Sequence, residues 1–397
     1  MKKKFHIGLL PRVLIAIALG IGCSYFFPLW ATKVFVTFNG LFGNFLSFTI
    51  PLIILGLVAP GIADLGKGAG KLLLITVLIA YGSTLFSGYF SYFICRWTYP
   101  LVLVKDPHFT QIATASPNSI SPFFTVEMPP IFGVMSALIL AFILGLGASI
   151  IKGDALTNVL RDFKDIVDWL IQKAIIPLLP LFIFGIFLKM GAEGQVSTIL
   201  KLFLKVIIII FIMHVALLLI QFCVAGSIAH KNPLKALITM LPAYFTALGT
   251  QSSAATIPVT LAQAKKNGVD PDLAAFTVPL CATIHLAGST LKITACAYAI
   301  MWMLGMSTNI GLFTGFIFLL GITMVAAPGV PGGAIMAALG VLSGVLGFDA
   351  TLQALMIALY ITMDSFGTAC NVTGDGAIAM VVNRIYKGGK FKQETEG

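Results

Sequence analysis

Tyr360-Ile-Thr-Met-Asp364-Ser-Phe-Gly367-Thr368-Ala-Cys-Asn371-Val-Thr-Gly-Asp375 is the stretch from which the fold can be read. It lies inside an apolar run from about Leu352 to Val382. At roughly 100° per residue, Asp364, Thr368, Asn371 and Asp375 fall within an arc of about 60° on a helix. Two carboxylates, a hydroxyl and an amide then form one polar seam, with Ala369 and Val372 off it. On a soluble helix this is an ordinary wet face. In a membrane helix each carboxylate costs at least about 2.5 kcal/mol at the bilayer centre, so the pair needs a cation or a tight partner.

Composition decides between the two solvents. Of 397 residues, 58% are hydrophobic and only 10% charged, and the mean hydropathy is +1.00. Soluble domains carry about 25% charged residues. The chain reads as a polytopic membrane protein, in which every buried charge is informative. The six cysteines sit in or beside apolar runs without a CxxC or metal spacing, and read as small packing residues. Met1-Lys-Lys-Lys before an apolar run imitates a secretory signal, but the run leads into further apolar segments and reads as a first span.

Outward from the closing stretch, apolar segments of membrane length occur at about Ile7–Phe27, Val34–Ala59, Leu72–Ile94, Ile131–Ile151, Ile166–Leu188 and Leu202–Ile228. Basic residues concentrate in alternate connections: Lys2, Lys3, Lys4 and Arg12; Lys67 and Lys71; Lys152, Arg161 and Lys164; Lys231 and Lys235. The positive-inside rule places the N-terminus in the cytoplasm, with six crossings up to about Ile228. The net charge of +10 is thereby assigned to topology, and nucleic acid is excluded as its reason. Asp162, Asp165 and Asp168, among Arg161, Lys164 and Lys173, read as a solvated helix face. Glu127, before Pro129-Pro130, reads as a further buried acid at a broken helix start.

Beyond Ile228 the simple alternation fails. Gly249-Thr250-Gln251-Ser252-Ser253-Ala-Ala-Thr256 sits between Lys235 and Lys265-Lys266, so a segment with both ends on one side must enter and turn back. Irregular backbone at that depth is tolerated only where protein buries it or a cavity takes it. A second interruption, Thr283-Ile-His285-Leu-Ala287-Gly288-Ser289-Thr290, predicts a locally unwound helix. A third, Ala327-Pro328-Gly329-Val-Pro331-Gly332-Gly333, cannot continue a helix and predicts a second hairpin entered from the other side. Arg384, Lys387, Lys390 and Lys392 hold the end of the closing helix in the cytoplasm. Two oppositely oriented hairpins, each followed by a helix with a polar middle, form the inverted-repeat arrangement that secondary transporters use for a site near the midplane. A helix N-terminus at the Ser252-Ser253 tip suits a carboxylate.

These residues carry a resemblance. Asn371-Val-Thr-Gly-Asp375, Gly329-Val-Pro331-Gly332 and Ser252-Ser253 before Thr256-Ile-Pro258-Val-Thr260 are similar to the dicarboxylate/amino acid:cation symporter family, which includes glutamate transporters and neutral amino acid transporters. The resemblance implies an all-α polytopic membrane protein with eight transmembrane helices, two oppositely oriented re-entrant helical hairpins and an elevator mechanism. It further implies a homotrimer in the cytoplasmic (inner) membrane with both termini cytoplasmic. The scaffold spans would be about 7–60 and 131–190. The transport unit would be about 70–95 and 202–386, with hairpin one at 234–267 and hairpin two at 310–347.

By the same resemblance, Asp364 takes the substrate's α-amino group, and Asn371 with the Ser253 backbone its α-carboxylate. Gln251, Ser252, Ser289, Gly332, Gly367 and Thr368 complete the substrate surroundings. Asp375 and the Asn371 backbone would hold one Na⁺, and carbonyls around Val325 and Ala327 another, with Thr283 a further candidate ligand. The residues agree: a buried carboxylate accepts an ammonium or binds a small hard cation. A structural hydrogen bond or ion pair is the competing reading of Asp364.

Departures from the family pattern bear on substrate and coupling. The Arg that acidic-substrate members carry on the last helix or first hairpin is replaced by Gly367 and Gln251, and its acidic partner by Tyr360. Without a guanidinium a second substrate carboxylate would be buried unpaired, which points to a small neutral amino acid of the serine, threonine or alanine kind, with Gly367 leaving room for its side chain. The unwound helix carries Ala287 where the family has a carboxylate, and hydroxyls of the third span are replaced near Ile79 and Ala80. Lys292 lies one turn beyond Ser289. The expectation is that the deepest Na⁺ site is absent, that Lys292 takes its electrostatic role, and that His285 adds H⁺ coupling. The alternatives are a snorkelling Lys292 and a neutral, hydrogen-bonded His285.

An intramembrane enzyme is disfavoured: Ser289 and His285 have helical spacing but no oxyanion signal beside them, and no organic cofactor is implied. A channel would conduct without substrate, where a carrier saturates and exchanges. Within carriers, the alternative is a dicarboxylate or acidic amino acid:cation (Na⁺ or H⁺) symporter using Lys292 or His285 for the missing Arg.

Overall fold

The computed structural model of the chain describes residues 9–66, 71–103, 120–194, 196–327 and 331–388, and contains no strand among them. α1 is Leu9–Ser24, α2 Leu29–Gly66, α3 Lys71–Val102 and α4 Val134–Ile150. α5 (Ala155–Leu170) continues through a π turn at Ile171–Ile175 into α6 (Ile176–Ala192), and α7 is Val196–Ala229. α8 is Pro233–Thr250, α9 Ser253–Lys266, α10 Pro271–Ile284 and α11 Ala287–Met303. α12 is Ile310–Val325, α13 Gly333–Leu346, α14 Ala350–Thr362 and α15 Asp364–Gly388.

Five stretches are long and apolar enough to cross a bilayer: Leu29–Ala63, Leu72–Val102, Ala155–Ala192, Phe203–Ala229 and Pro271–Met303. The α14–α15 pair is a sixth candidate, bent by 63°. Pro11–Ser24, Ile139–Ile150, Ile310–Val325 and Gly333–Leu346 are shorter apolar helices.

The late breaks follow from local chemistry. Asn232 accepts from the Lys235 amide and Pro233 occupies the first position of α8, which together fix that start. Gln251 is left-handed at φ 53, and Ser252 caps α9 by accepting from the Ala255 amide, so α8 and α9 form a helix–turn–helix. Asn309 caps α12, and Gly332 enters α13 at φ 76, a backbone angle that glycine adopts without penalty. Pro328 and Gly329 of the expected hairpin tip lie outside the described residues, as do Lys2, Lys3, Lys4, Lys67, Lys390 and Lys392.

Three expectations are corrected. The apolar run from Leu352 to Val382 is not one helix, although Asp364, Thr368, Asn371 and Asp375 all lie on its second part. It breaks at Met363, so Asp364 is the first residue of α15, where a carboxylate complements the helix N-terminus. The interruption expected over residues 283–290 is confined to His285 and Leu286. Glu127 is exposed, because residues 124–130 form an irregular, largely exposed segment.

α2 packs with α4, α5 and α6, and α1 with α6. α15 packs with α7, α8, α9, α10 and α11, and α11 with α3. The two sets meet chiefly where α12, α13 and α14 lie against α1, α2, α4 and α6. Small residues permit these close approaches. A Cβ on Gly145 of α4 would stand 2.6 Å from the Ala59 carbonyl oxygen and 2.7 Å from Ile62 Cβ of α2. Backbone cannot yield there as a flexible side chain would. Gly145→Val is expected to cost about 1–3 kcal/mol by overpacking. This would show as a lower apparent unfolding temperature in detergent; an unchanged value would contradict this packing.

Candidate substrate and cation site

Asp364, at the head of α15, has both carboxylate oxygens engaged. Its Oδ1 is 3.0 Å from Lys292 Nζ, and its Oδ2 accepts from the Gly332 amide at 2.8 Å. Lys292, on α11, is completely buried, so it does not snorkel. Its ammonium also donates to the Met363 carbonyl at 3.3 Å and sits 3.5 Å from the centre of the Tyr360 ring. A cation over an aromatic face is stabilised by the ring quadrupole. The backbone break at Met363 therefore does two things. It sets Asp364 at a helix head facing Lys292, and it brings the Met363 carbonyl, which also accepts from the Gly367 amide at 3.2 Å, within reach of the same ammonium.

Gly367 belongs to this arrangement. A Cβ there would lie 2.7 Å from Lys292 Nζ and 2.9 Å from its Cε. The space expected for a substrate side chain is thus filled by the lysine. Gly367, Tyr360 and Lys292, which the sequence presents as separate departures, form one ammonium-binding unit.

Asn371, two turns into α15, is a cross-helix cap. Its Oδ1 accepts from the Gly288 amide at 2.8 Å and the Ser289 amide at 3.3 Å, donors of the first turn of α11. Its Nδ2 donates to Ser289 Oγ at 3.1 Å, and Tyr360 OH donates to the same hydroxyl at 3.0 Å.

Asp375 meets His285 at the break between α10 and α11. His285 Nδ1 is 2.9 Å from Asp375 Oδ1, and its Nε2 is 3.1 Å from Ser83 Oγ of α3. Gln221 of α7 donates to Ser83 Oγ at 3.0 Å. A neutral imidazole fits the order Gln221 N–H to Ser83, Ser83 O–H to His285 Nε2, His285 Nδ1–H to Asp375. With this ordering the imidazole is neutral and leaves the carboxylate's charge uncancelled. Asp364, by contrast, faces a full ammonium. A largely apolar cavity of about 330 Å³ touches Ser83, Gln221 and Gly374 at the outer end of the chain.

Sequence reasoning missed Ser83, Gln221 and His214. Ser83 is one turn beyond Ile79, so α3 keeps a hydroxyl at this place. His214, also on α7, donates from Nε2 to the Gly288 carbonyl at 3.0 Å. A polar residue in the otherwise apolar run of α7 was the available signal. Other candidates lie apart from these contacts. Thr283 is exposed and bonds its own helix at Leu280. Val325 packs beside the cluster of Ala80, Cys281 and Ile378, and Ala327 is buried at the end of α12. Ser253 and Thr368 are buried, while Gln251 and Ser252 form the α8–α9 turn. Among the described residues no three His, Cys, Asp or Glu side chains converge as a metal cluster. A coupling cation here must rely on carbonyl, hydroxyl and single carboxylate oxygens.

Removing Asn371 strands buried donors at roughly 1–3 kcal/mol each. Asn371→Ala should therefore lower the unfolding temperature in detergent well below that of Ser289→Ala, which keeps the two backbone bonds. Equal effects would contradict the capping role.

The residues match the model of the Sodium:dicarboxylate symporter family over residues 9–385. The "Serine/threonine transporter SstT" of Acinetobacter baumannii (strain AYE) is 27% identical over 383 residues, covering 93% of this chain and 95% of that protein. The protein of the same description from Acinetobacter baylyi is 26% identical over 396 residues, covering 96% and 98%. With its apolar helices, its buried carboxylates and a match running almost end to end, the chain belongs to the Sodium:dicarboxylate symporter family.

Proposed function

We propose that this cation-coupled symporter carries a small neutral amino acid, of the serine, threonine or alanine kind, across the cytoplasmic membrane. The observation that carries this reading is the buried Lys292–Asp364 pair. One ammonium facing one carboxylate is the electrostatic complement of a zwitterion. An amino acid can enter by exchanging partners, its ammonium going to Asp364 and its carboxylate to Lys292, with no net charge added to the membrane interior. A free carboxylate in hydrocarbon would cost several kcal/mol. Asn371, Ser289 and the Ser252-Ser253 tip offer polar groups for the remaining substrate atoms. The relatives described as serine/threonine transporters support the same substrate class.

Asp375 is the carboxylate assigned to the co-transported cation, Na⁺ or H⁺, because its ionic partner among the described residues is an imidazole rather than a fixed ammonium. In this reading α8–α9 and α12–α13 are re-entrant hairpins among eight spans. The helices around α15 move as a transport unit against the α1, α2, α4–α6 scaffold, and three copies assemble. A second reading has its own support. Lys292 already stands beside Gly367, so a carboxylate without an amine, including a dicarboxylate, could bind that ammonium directly.

Uptake of labelled serine into proteoliposomes under an inward Na⁺ or H⁺ gradient tests both. The amino acid reading expects saturable accumulation, competition by alanine and threonine, and none by succinate. It also expects at least a tenfold loss of gradient-driven accumulation in Asp375→Asn. Competition by succinate but not alanine would favour the second reading. Undiminished accumulation by Asp375→Asn would remove that residue from the cation site.

A further inference from the structure

The protein's own groups balance the charge of the site. Asp364 holds Lys292 on one oxygen and the Gly332 amide on the other. Gly332 is the residue from which α13 begins, so this second bond fastens the entry of the α12–α13 pair to the head of α15. Lys292 is satisfied by Asp364, the Met363 carbonyl and the Tyr360 ring. Gly367 leaves it the room to reach them.

We propose that Lys292 is a resident cation that takes the place of the cargo's ammonium on Asp364 during the empty half of the transport cycle. A carrier must cross the membrane twice per net turnover, once loaded and once empty. If Asp364 had no internal partner, the empty form would bury a naked carboxylate. Its closure, and with it the return step, would then depend on bound cargo, which confines a carrier to exchange. With Lys292 in place the empty site carries no net charge, Gly332 stays docked, and the return step needs no solute. The chain is thereby set up for net movement rather than obligatory exchange. The exchange of ammonium groups on Asp364 rests on the amino acid reading, since a cargo without an amine would leave Lys292 and Asp364 paired throughout.

The test is amide hydrogen exchange of the full-length protein in lipid nanodiscs, without amino acids or Na⁺, read over residues 331–346. Lys292→Met should accelerate exchange there by about tenfold or more relative to the parent. Lys292→Met/Asp364→Asn, which removes the charge together with its partner, should restore protection. Protection in Lys292→Met equal to the parent overturns the proposal. So does a double variant as loose as the single one, since the lysine would then act by packing alone. A second readout is the ratio of net uptake into empty vesicles to exchange into serine-loaded vesicles, which should fall at least tenfold in Lys292→Met. A ratio that does not move overturns the link to net transport. Failure of the parent to move serine at all would count against the substrate assignment while leaving the exchange result to decide this one.

Discussion

The structure depends on the cost of holding a carboxylate away from water. α15 carries two buried carboxylates, and the surrounding chain is arranged to answer each differently. Asp364 receives a full opposite charge from Lys292 across the gap between α15 and α11. Asp375 receives a hydrogen bond from an imidazole that is itself tied through Ser83 to Gln221. The first arrangement is complete without a ligand. The second leaves charge to be met from outside. That difference separates a solute site from a cation site on one helix, with about three turns between them.

Broken helices make this possible. A continuous α14–α15 would not place Asp364 at a helix head. A continuous α10–α11 would leave no unpaired amides at Gly288 and Ser289 for Asn371 to accept from. The α10–α11 break exposes backbone amides, and a side chain from another helix takes them up. The polar seam of α15 is therefore matched by groups on the facing helices, which is why it can be buried so completely.

Much of the fold was legible in the sequence, because its signals are local. Pro233 with Asn232, Pro331 with Gly332 and the Ser252-Ser253 tip mark helix ends by their own chemistry, and the helices begin and stop within a few residues of them. Asp364, Asn371, Asp375, His285 and Lys292 could be singled out because polar groups are costly in an apolar run. Their partners could not be named. Whether Lys292 reaches Asp364 or the membrane surface depends on how α11 is rotated against α15, and no spacing within either helix encodes that. The meaning of Gly367 was hidden for the same reason: a missing side chain reads as space until the neighbour that fills it is known. Ser83 and Gln221 escaped notice because one hydroxyl or amide in a span is unremarkable alone and becomes telling only beside His285.

The account rests on Asp364 being ionised and paired in the empty protein. Infrared difference spectroscopy of the ligand-free parent against Asp364→Asn, in lipid, reads this directly. The account predicts that the substitution removes an ionised carboxylate band. Loss of the carbonyl stretch of a protonated carboxyl instead would mean that a proton, and not Lys292, neutralises the site, and would contradict it.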